Sequence, residues 1–297
     1  MSRDTYAEVT AKLVEAFEAA AEGHWQRPWS SIVAAGDDAP VNCSTGRPYR
    51  GVNTLLLASA AYDGGYVDSR WGTYRAWAEK GGQVRKGERH DDSAAPEQVT
   101  GTILMARGYA VFNAHQVDGI ELRSLSDSTP EELAEKASLL TRTVEAFCSR
   151  ESIAIHRTGA KAYYDRSADA ITVPPRLAFD TETAMAAVLA HEAAHATGAE
   201  KRLNRLDKLA RFGNDSYAAE EVVAEMTAAF LGAATSTAID QAQSVAYLRC
   251  WIGVMKRDSR AIFTAASAAQ AAADLILSAV EATVDDAPVE ADAVATR

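Results

Sequence analysis

Apolar residues recur every three or four positions along several segments of the chain, which is the spacing of one helix face. In the N-terminal part this spacing predicts helices over three segments: Asp4–Glu22, Gly51–Tyr62 and Ser69–Lys80. Gln83–Arg89 is predicted to run from a short strand into a basic turn, and His90–Gln98 is predicted to be a polar loop. Alternation of apolar and polar residues over Val99–Val117 predicts one or two strands.

The second half of the chain contains more of the helical spacing. The polar run Ser124–Leu133 predicts a linker that leads into a long helix ending near Glu151. Two short extended runs, Ala162–Tyr164 and Ala170–Val173, predict a hairpin. Further helices are predicted over Thr181–Gly198, over Tyr217–Leu231 and over two segments that end near Thr283.

The order of these elements predicts an α+β protein of two domains. An N-terminal α+β domain is expected over residues 1–125 and a mainly helical domain over residues 126–284. The acidic end, residues 285–297, is predicted to be a disordered tail. A chain of 297 residues is long enough for a core in each domain.

The most informative motif is His191-Glu192-Ala193-Ala194-His195, because helical residues four positions apart share one face. Both imidazoles can reach one metal ion, and Glu192 beside them can take a proton from an attacking water. The surrounding helix has almost no other charge and is predicted to be buried, where a cation would compensate these polar groups. The alternative is two core histidines bonded to backbone carbonyls, with Glu192 at the surface.

A third ligand is expected on the helix over Tyr217–Leu231, because catalytic zinc sites use three protein ligands and keep one position open. Glu221 and Glu225 share one face of this helix, among Ala, Val and Met residues. We predict Glu221 as the ligand and Glu225 as the carboxylate that holds a ligand histidine by its other ring nitrogen, although the two roles can be exchanged. Glu220 points about 100° away and is predicted to be solvated.

Composition excludes several classes of protein. No run of about 18 uncharged apolar residues predicts a membrane span. The N-terminal segment lacks the apolar core of a signal peptide, and the three widely spaced cysteines fit a reducing cytoplasm better than a disulfide framework or a zinc knuckle. We therefore expect a cytoplasmic protein. The net charge of −11 argues against a broadly basic nucleic-acid coat.

A basic and aromatic island lies within this acidic chain. Residues 42–90 carry 8 Lys and Arg against 4 Asp and Glu, and four of the five tryptophans lie in the first 77 residues. Cations can follow phosphates while rings stack on unpaired bases, so the island predicts single-stranded DNA binding. The alternative is that the rings fill a small core, as Tyr74 and Trp77 can. The predicted DNA contacts are Arg47, Tyr49, Arg50, Trp71, Arg75, Arg85, Lys86 and Arg89.

The stretch from Pro40 to Arg89 resembles the N-terminal domain of ArdC-type antirestriction proteins, which has a relative in TraC-type primases. The run Val111–Gly119 is also similar to this family. The features that carry the resemblance are Asn42, Thr45-Gly46, Tyr49, Gly51, Asn53, Trp71, Thr73, Gly81-Gly82, Val84 and Lys86-Gly87.

The C-terminal half resembles the gluzincin metallopeptidases, which combine H-E-x-x-H with E-x-x-x-D/E on a later helix. This resemblance implies a zincin-like domain with zinc bound by His191, His195 and Glu221. It also implies that Glu192 is the general base and later the proton donor to the leaving amine. The candidates for stabilising an oxyanion are equivalent on sequence grounds: Tyr163, Tyr164, Tyr217 and His156.

Together the two resemblances cover Asp4 to about Thr283 and imply a plasmid protein that binds single-stranded DNA. Such a protein helps incoming DNA evade host restriction during conjugation, with host restriction-enzyme subunits as candidate partners. Two alternatives stay open. One is a zinc metallopeptidase whose N-terminal domain selects protein substrates, and the other is a DNA-binding module whose zincin fold is structural and does no proteolysis.

Overall fold

The computed structural model describes residues 5–21, 39–88, 91–97, 105–123, 129–206, 214–237 and 252–285. Several predictions fall at least partly on other residues and lie there outside the described part of the chain. They include Arg89 as a DNA contact, the side chain of Tyr217, residues 99–104 of the predicted strands, residues 124–128 of the predicted linker, and residues 286–297 of the predicted tail.

The N-terminal half combines short strands with three helices. The helices are α1 (Thr5–Ala21), α2 (Val52–Gly64) and α3 (Tyr74–Glu79). The strands are β1 (Val41–Asn42), β2 (Arg70–Gly72), β3 (Gln83–Val84), β4 (Asp91–Glu97), β5 (Met105–Asn113) and β6 (Val117–Asp118). Four strands form a sheet in the order β1-β2-β5-β4, and β3 pairs with β6 in a separate ribbon.

Two predictions for this half are wrong. The segment Ser69–Lys80 begins as strand β2 rather than as a helix, because Trp71 pairs with Asn113 in the sheet and buries its indole completely. Helix α3 follows only after Thr73, whose hydroxyl accepts a hydrogen bond from the Ala76 N–H. The predicted loop His90–Gln98 contains β4, which pairs with β5 along its whole length. A strand partner outweighs the low β-propensity of this polar segment.

The C-terminal half packs helices against a three-stranded sheet. The helices are α4 (Pro130–Arg150), α5 (Glu182–Thr197), α6 (Asn214–Ala234) and α7 (Ala261–Asp285), with a short helical segment at residues 252–257. The strands β7 (Ala154–Arg157), β8 (Tyr163–Asp165) and β9 (Ala170–Val173) lie in the order β7-β9-β8. β8 and β9 form the predicted hairpin, and a capping box between Thr129 and Glu132 begins the predicted long helix α4.

One hydrophobic core joins the two halves. It includes Leu13 of α1 and Leu55 of α2 together with Leu189 of α5, Met226 of α6 and Ile276 of α7. Fully burying one such side chain contributes about 1.5–3 kcal/mol, so these contacts are a large part of the stabilisation of both halves. The first two helices therefore pack into the same core as the helices beyond residue 125.

Ala261–Val280 of α7 is long and apolar enough to cross a membrane by length and composition, and it is the one such helix in the described part of the chain. It contacts α2, α4, α5 and α6. Its residues Ala266, Ala269, Ala273 and Ile276 are buried in that packing. Packing against four helices accounts for the apolar residues on this face, and 39% of the apolar window of α7 is buried.

Candidate functional site

Helix α5 carries the histidine motif and is capped at its start. Thr181 Oγ1 accepts a hydrogen bond from the Ala184 N–H at 3.0 Å, and the helix ends before Gly198. The spacing of four residues brings the imidazoles of His191 and His195 to one face, where their Nε2 atoms lie 3.1 Å apart. Both side chains are mostly buried, with 12% and 15% of their surface exposed.

Glu221 of α6 completes a set of three donor residues. Its Oε2 lies 3.5 Å from His191 Nε2, and its Oε1 lies 3.6 Å from His195 Nε2. Ligand atoms about 2.0–2.2 Å from a tetrahedral ion lie roughly 3.3–3.5 Å apart, so these atoms fit one small metal ion. In the described part of the chain, this is the one cluster of His, Cys, Asp and Glu with such spacing.

Two further carboxylates face the outer nitrogens of the histidines. Glu225 Oε1 lies 3.0 Å from His191 Nδ1, which is the position predicted for it, and Glu220 Oε1 lies 3.2 Å from His195 Nδ1. The prediction that Glu220 is solvated is wrong, because only 5% of this residue is exposed. The chain after α5 folds back beside α6, and Arg205 donates two hydrogen bonds to the Glu220 carboxylate.

Glu192 lies on α5 and is buried where this helix packs against strand β8, beside the three donor residues. Burial raises the pKa of the Glu192 carboxyl, and this effect outweighs the opposing charges of His191 and His195 and the hydrogen bond from the Tyr164 N–H. A carboxylate with a raised pKa holds an abstracted proton better. The position and the protonation behaviour of Glu192 therefore suit general acid–base chemistry.

The electrostatic field of the site favours a positive charge at His191. Burial by itself lowers the pKa of His191, but hydrogen bonds with Glu221 and Glu225 and the charge of Glu192 outweigh it and raise this pKa to about 10. The same carboxylates that stabilise a proton on the ring would stabilise a metal cation in its place. The charge distribution thus agrees with the donor geometry.

A charged cluster holds strand β8 against α5. The Tyr164 hydroxyl donates to Asp169 Oδ1 at 2.5 Å and accepts a hydrogen bond from Arg202 Nη2 at 3.0 Å. Arg202 also pairs with Asp169 and donates through Nε to the Ala196 carbonyl at 2.6 Å, near the end of α5. The cluster therefore connects strand β8, whose Tyr164 N–H bonds the Glu192 carboxylate, with helix α5, which carries Glu192.

The four oxyanion candidates occupy different environments. Tyr164 uses its hydroxyl in the charged cluster, whereas Tyr163 on β8 and His156 on β7 are exposed to solvent. The side chain of Tyr217 lies outside the described part of the structure.

Two predicted DNA contacts, Arg85 and Lys86, line a groove of about 500 Å³ together with Tyr74 and Phe112. Tyr74 is 53% exposed, and its hydroxyl accepts a hydrogen bond from Gln83 Nε2 at 2.8 Å. The guanidinium of Arg85 lies 2.9 Å from Glu88, whereas Lys86 is exposed in the turn that follows β3. The groove therefore presents an aromatic ring beside two cations, and it is also lined by Glu88 and Asp118, which both pair with Arg85.

Two others, Tyr49 and Arg50, line a second cleft of about 480 Å³ between the two halves of the chain. Arg50 forms an ion pair with Asp274 of α7, and the Gly51 N–H donates to Gln270 Oε1 at 3.0 Å. Burial raises the pKa of the Tyr49 hydroxyl. These contacts make the cleft a junction between α7 and the N-terminal half.

Arg47 and Arg75 lie outside both cavities. Arg47 is exposed in the turn between β1 and α2. The side chain of Arg75 is 89% exposed and pairs with Glu79 one helical turn away, at 2.8 Å. The predicted DNA contacts are therefore spread over several places rather than brought together at one site.

The prediction that Trp71 contacts DNA is wrong. Its indole is fully buried and lies edge-on to Tyr66, with ring centroids 6.0 Å apart. Trp77 is also fully buried and donates from Nε1 to the Phe112 carbonyl at 2.9 Å, whereas Tyr74 is exposed although the sequence allowed it to be buried. Strand β2 and helix α3 direct both indoles into small cores, whereas the ring of Tyr74 faces solvent.

Sequence reasoning missed the roles of Arg205, Arg202 and Asp169. The sequence contains a local signal for the two arginines, because they follow shortly after Gly198, which ends the helix. Basic side chains at such a position can donate hydrogen bonds to the last carbonyls of the helix. No local signal connects Arg202 with Asp169, which lies 33 positions earlier in the sequence. Their pairing depends on the hairpin that closes over α5.

Two protein-family models match the chain. A model described as the N-terminal domain of the anti-restriction factor ArdC matches residues 3–112. A model described as a zincin-like metallopeptidase matches residues 142–268, which contain the histidine motif and Glu221. The predicted combination of an N-terminal α+β domain with a mainly helical zincin-like domain is confirmed.

Similar proteins extend the match over most of the chain. The uncharacterised protein y4eC of Sinorhizobium fredii is 38% identical over 291 residues and is aligned over 91% of both chains. The DNA primase TraC of Escherichia coli is 29% identical over 296 residues, which cover 91% of this chain but 27% of that primase.

Two crystal structures of the antirestriction protein ArdC from plasmid R388 have the same fold. The Mn(II)-bound structure is 34% identical with a TM-score of 0.74, over 93% of this chain and 98% of the other. The metal-free structure is also 34% identical, with a TM-score of 0.72 over 94% and 99% of the two chains. Similarity over the full length, with both domains in the same order, shows that the chain belongs to the ArdC family of antirestriction proteins.

Proposed function

We propose that the chain binds single-stranded DNA, carries a zinc-dependent peptidase centre, and protects incoming plasmid DNA from restriction in the cytoplasm of the recipient during conjugation. Membership of a family that includes the antirestriction protein of plasmid R388 supports the protective role. Similarity to the TraC primase supports a contact with DNA. The chain spans only 27% of that primase, so no primer synthesis is inferred from it.

The observation that carries the proposal is the set of His191, His195 and Glu221 with Glu192 beside it. Two imidazole nitrogens and one carboxylate oxygen at this spacing fit zinc with three protein ligands and an open fourth position. The Mn(II) in a structure of the R388 relative supports a divalent ion in this family. When bound, the ion would act as a Lewis acid toward a peptide carbonyl.

Glu192 is the residue we assign to proton transfer. Its carboxylate takes a proton from the attacking water and then delivers it to the nitrogen of the leaving amine. The Tyr164 N–H holds the carboxylate in place, and the charged cluster around Asp169 holds Tyr164. Strand β8 is an edge strand of its sheet, so an extended peptide can add to it through backbone hydrogen bonds.

The groove beside Tyr74 is the surface we assign to single-stranded DNA. An exposed ring can stack on an unpaired base of any sequence, and Arg85 and Lys86 can neutralise the adjacent phosphates. Stacking on a base requires an unpaired strand, because the faces of bases in a duplex are already stacked. The acidic net charge of −11 makes this contact local, so binding is expected to weaken steeply with salt.

Conjugation into matched restricting and non-restricting recipients tests the proposal. The donor plasmid expresses wild-type protein, Glu192→Gln, the pair Tyr74→Ala with Lys86→Ala, or Glu200→Gln as a control at an exposed position. We expect wild-type and Glu200→Gln to raise transfer only into the restricting recipient. We expect the other two variants to lose that protection.

The same assay separates the alternative functions. Full protection by a zinc-loaded Glu192→Gln protein would identify a DNA-binding module with a non-proteolytic zincin fold. Full protection by the Tyr74 and Lys86 variant, with single-strand affinity equal to that for duplex, would identify a peptidase whose N-terminal domain selects proteins. Incubation with host restriction-enzyme subunits, with and without single-stranded DNA, then tests them as substrates.

A further inference from the structure

A buried ion pair stands directly behind one of the two histidines. Arg205 donates to Glu220 Oε2 through Nε at 2.8 Å and to Glu220 Oε1 through Nη2 at 2.7 Å. Glu220 Oε1 also lies 3.2 Å from His195 Nδ1. The side chains of Arg205 and Glu220 are only 10% and 7% exposed, so this contact is made away from water.

The remaining donors of Arg205 bind the helix that carries His195. Nη2 donates to the Ala194 carbonyl at 2.5 Å, and Nη1 donates to Thr197 Oγ1 at 2.7 Å. One guanidinium therefore connects the backbone next to His195 with the carboxylate that faces its ring. Because each donor is directed at a fixed acceptor, the pair fixes both the ring and its helix.

The chain between α5 and Arg205 reverses direction, so that the guanidinium of Arg205 returns to the C-terminal end of α5. The N–H groups of Arg205 and Leu206 both bond the Gly198 carbonyl at 3.1 Å. A Cβ at position 198 would lie 2.9 Å from Leu206 Cγ and 3.1 Å from Arg205 Cζ, so a larger residue would displace these side chains. Asn204 adopts a left-handed backbone with φ of 47°, which turns the chain just before Arg205.

We infer that the Arg205–Glu220 pair is a positioning device for His195 as a metal ligand, an inference that rests on the proposed metal centre. Glu220 accepts a hydrogen bond from Nδ1–H, which leaves the lone pair of Nε2 directed at Glu221 and His191. Arg205 holds the carboxylate in that geometry and balances its charge. The ring is thus set in the metal-binding tautomer before any ion arrives.

A double variant tests this role without leaving a buried charge. Arg205→Met with Glu220→Met replaces the pair by apolar side chains, a type of exchange that buried ion pairs tolerate. Arg205→Lys keeps the charge but removes the two-pronged contact. Glu200→Gln is the control, because it removes a carboxylate from the same segment at an exposed position.

The measurements are the zinc dissociation constant, by competition with a chromophoric chelator, and the side-chain ¹⁵N shifts of His195 in the metal-free protein. We expect zinc to bind roughly 10–100-fold more weakly to the double variant, with a smaller loss in Arg205→Lys. The shifts of both variants should move away from the Nδ1–H tautomer, while Glu200→Gln matches wild type.

Each outcome has a distinct meaning. Zinc affinities within twofold of wild type in both Arg205 variants, with unchanged His195 shifts, would overturn the inference and leave the metal centre intact. Failure of the wild-type chain to bind zinc would instead overturn the proposed function. A loss of zinc affinity without a change in tautomer would also contradict the positioning role.

Discussion

The proposed metal centre on α5 and α6 and the groove around Tyr74 are built in opposite ways. The centre buries its charged groups, and each ring nitrogen of the histidines lies within 3.6 Å of a carboxylate or of the other ring. The groove exposes its ring and its cations, and Arg85 and Lys86 face water as well as their neighbours. One region is preorganised for a small ion, and the other is open to a long flexible ligand.

This difference predicts different responses to substitution. Inside the centre, each group has fixed partners in a poorly hydrated space, so replacing one changes the chemistry sharply. In the groove, water replaces a lost contact, so single changes are expected to be modest and salt-dependent.

Glu192→Gln is expected to have the largest effect. Loss of a general acid–base group lowers the rate about 10²–10⁴-fold. The zinc dissociation constant should stay close to that of wild type, since Glu192 is not among the three donor residues. Cleavage of a disordered protein substrate by zinc-loaded wild type and variant measures this, with Glu200→Gln as an exposed control. Equal cleavage by both proteins would remove Glu192 from the mechanism.

Trp71→Ala separates a buried ring from an exposed one. Removing this fully buried indole should lower the free energy of unfolding by about 3–5 kcal/mol. Tyr74→Ala should change it by no more than about 0.5 kcal/mol but weaken single-strand binding by about 1–3 kcal/mol. Urea unfolding and fluorescence anisotropy measure the two quantities. If Trp71→Ala weakened single-strand binding with little loss of stability, and Tyr74→Ala lowered the free energy of unfolding instead, Trp71 would be the stacking residue.

Asp169→Asn tests the cluster that holds strand β8. Although burial raises the pKa of Asp169, hydrogen bonds from Arg202, Lys201 and Tyr164 outweigh this and hold it well below its usual range. The folded state therefore gains stability above the ordinary carboxyl pKa of about 3.9 and loses it as the pH falls through the depressed value.

At pH 7 we expect Asp169→Asn to be about 1.5–3 kcal/mol less stable than wild type, with the difference shrinking below about pH 4. Denaturant unfolding at several pH values measures this, with Glu200→Gln as the exposed control. A difference independent of pH would show that the Asp169 charge is not what stabilises the cluster.

Lys86→Ala tests the open character of the groove. Loss of one phosphate contact should lower the slope of log affinity against log salt by about 0.7–1. Lys161→Ala serves as the control, because this exposed lysine lies in the C-terminal half. An unchanged slope in Lys86→Ala, or an equal decrease in Lys161→Ala, would remove the groove from the DNA interface.

Arg50→Ala should have the smallest effect. Its ion pair with Asp274 joins the two halves, but the side chains are 61% and 45% exposed. Such solvated pairs contribute about 0–1 kcal/mol, so the unfolding free energy should fall by less than about 1 kcal/mol. A loss of several kcal/mol would show that this pair, rather than the shared core, holds the halves together.

The two regions also differ in how well the sequence predicted them. Helical spacing places His191 and His195 on one face of α5, and Glu221 and Glu225 on one face of α6, because each pattern lies within a few turns of one helix. The burial of Trp71 depends on strand pairing with β5, which no local pattern contains. The burial of Glu220 is likewise absent from any local pattern, since Arg205 reaches it only after the chain reverses at Gly198.

The most direct test of the account is the amount of zinc bound per chain in Glu221→Gln and in wild type. Glu221 is the one donor contributed by α6, so it decides whether the two helices together form a metal centre. We predict one zinc ion per wild-type chain and a large loss of bound zinc in Glu221→Gln at equal free zinc. Equal binding by the two proteins, or no binding by wild type, would contradict the account.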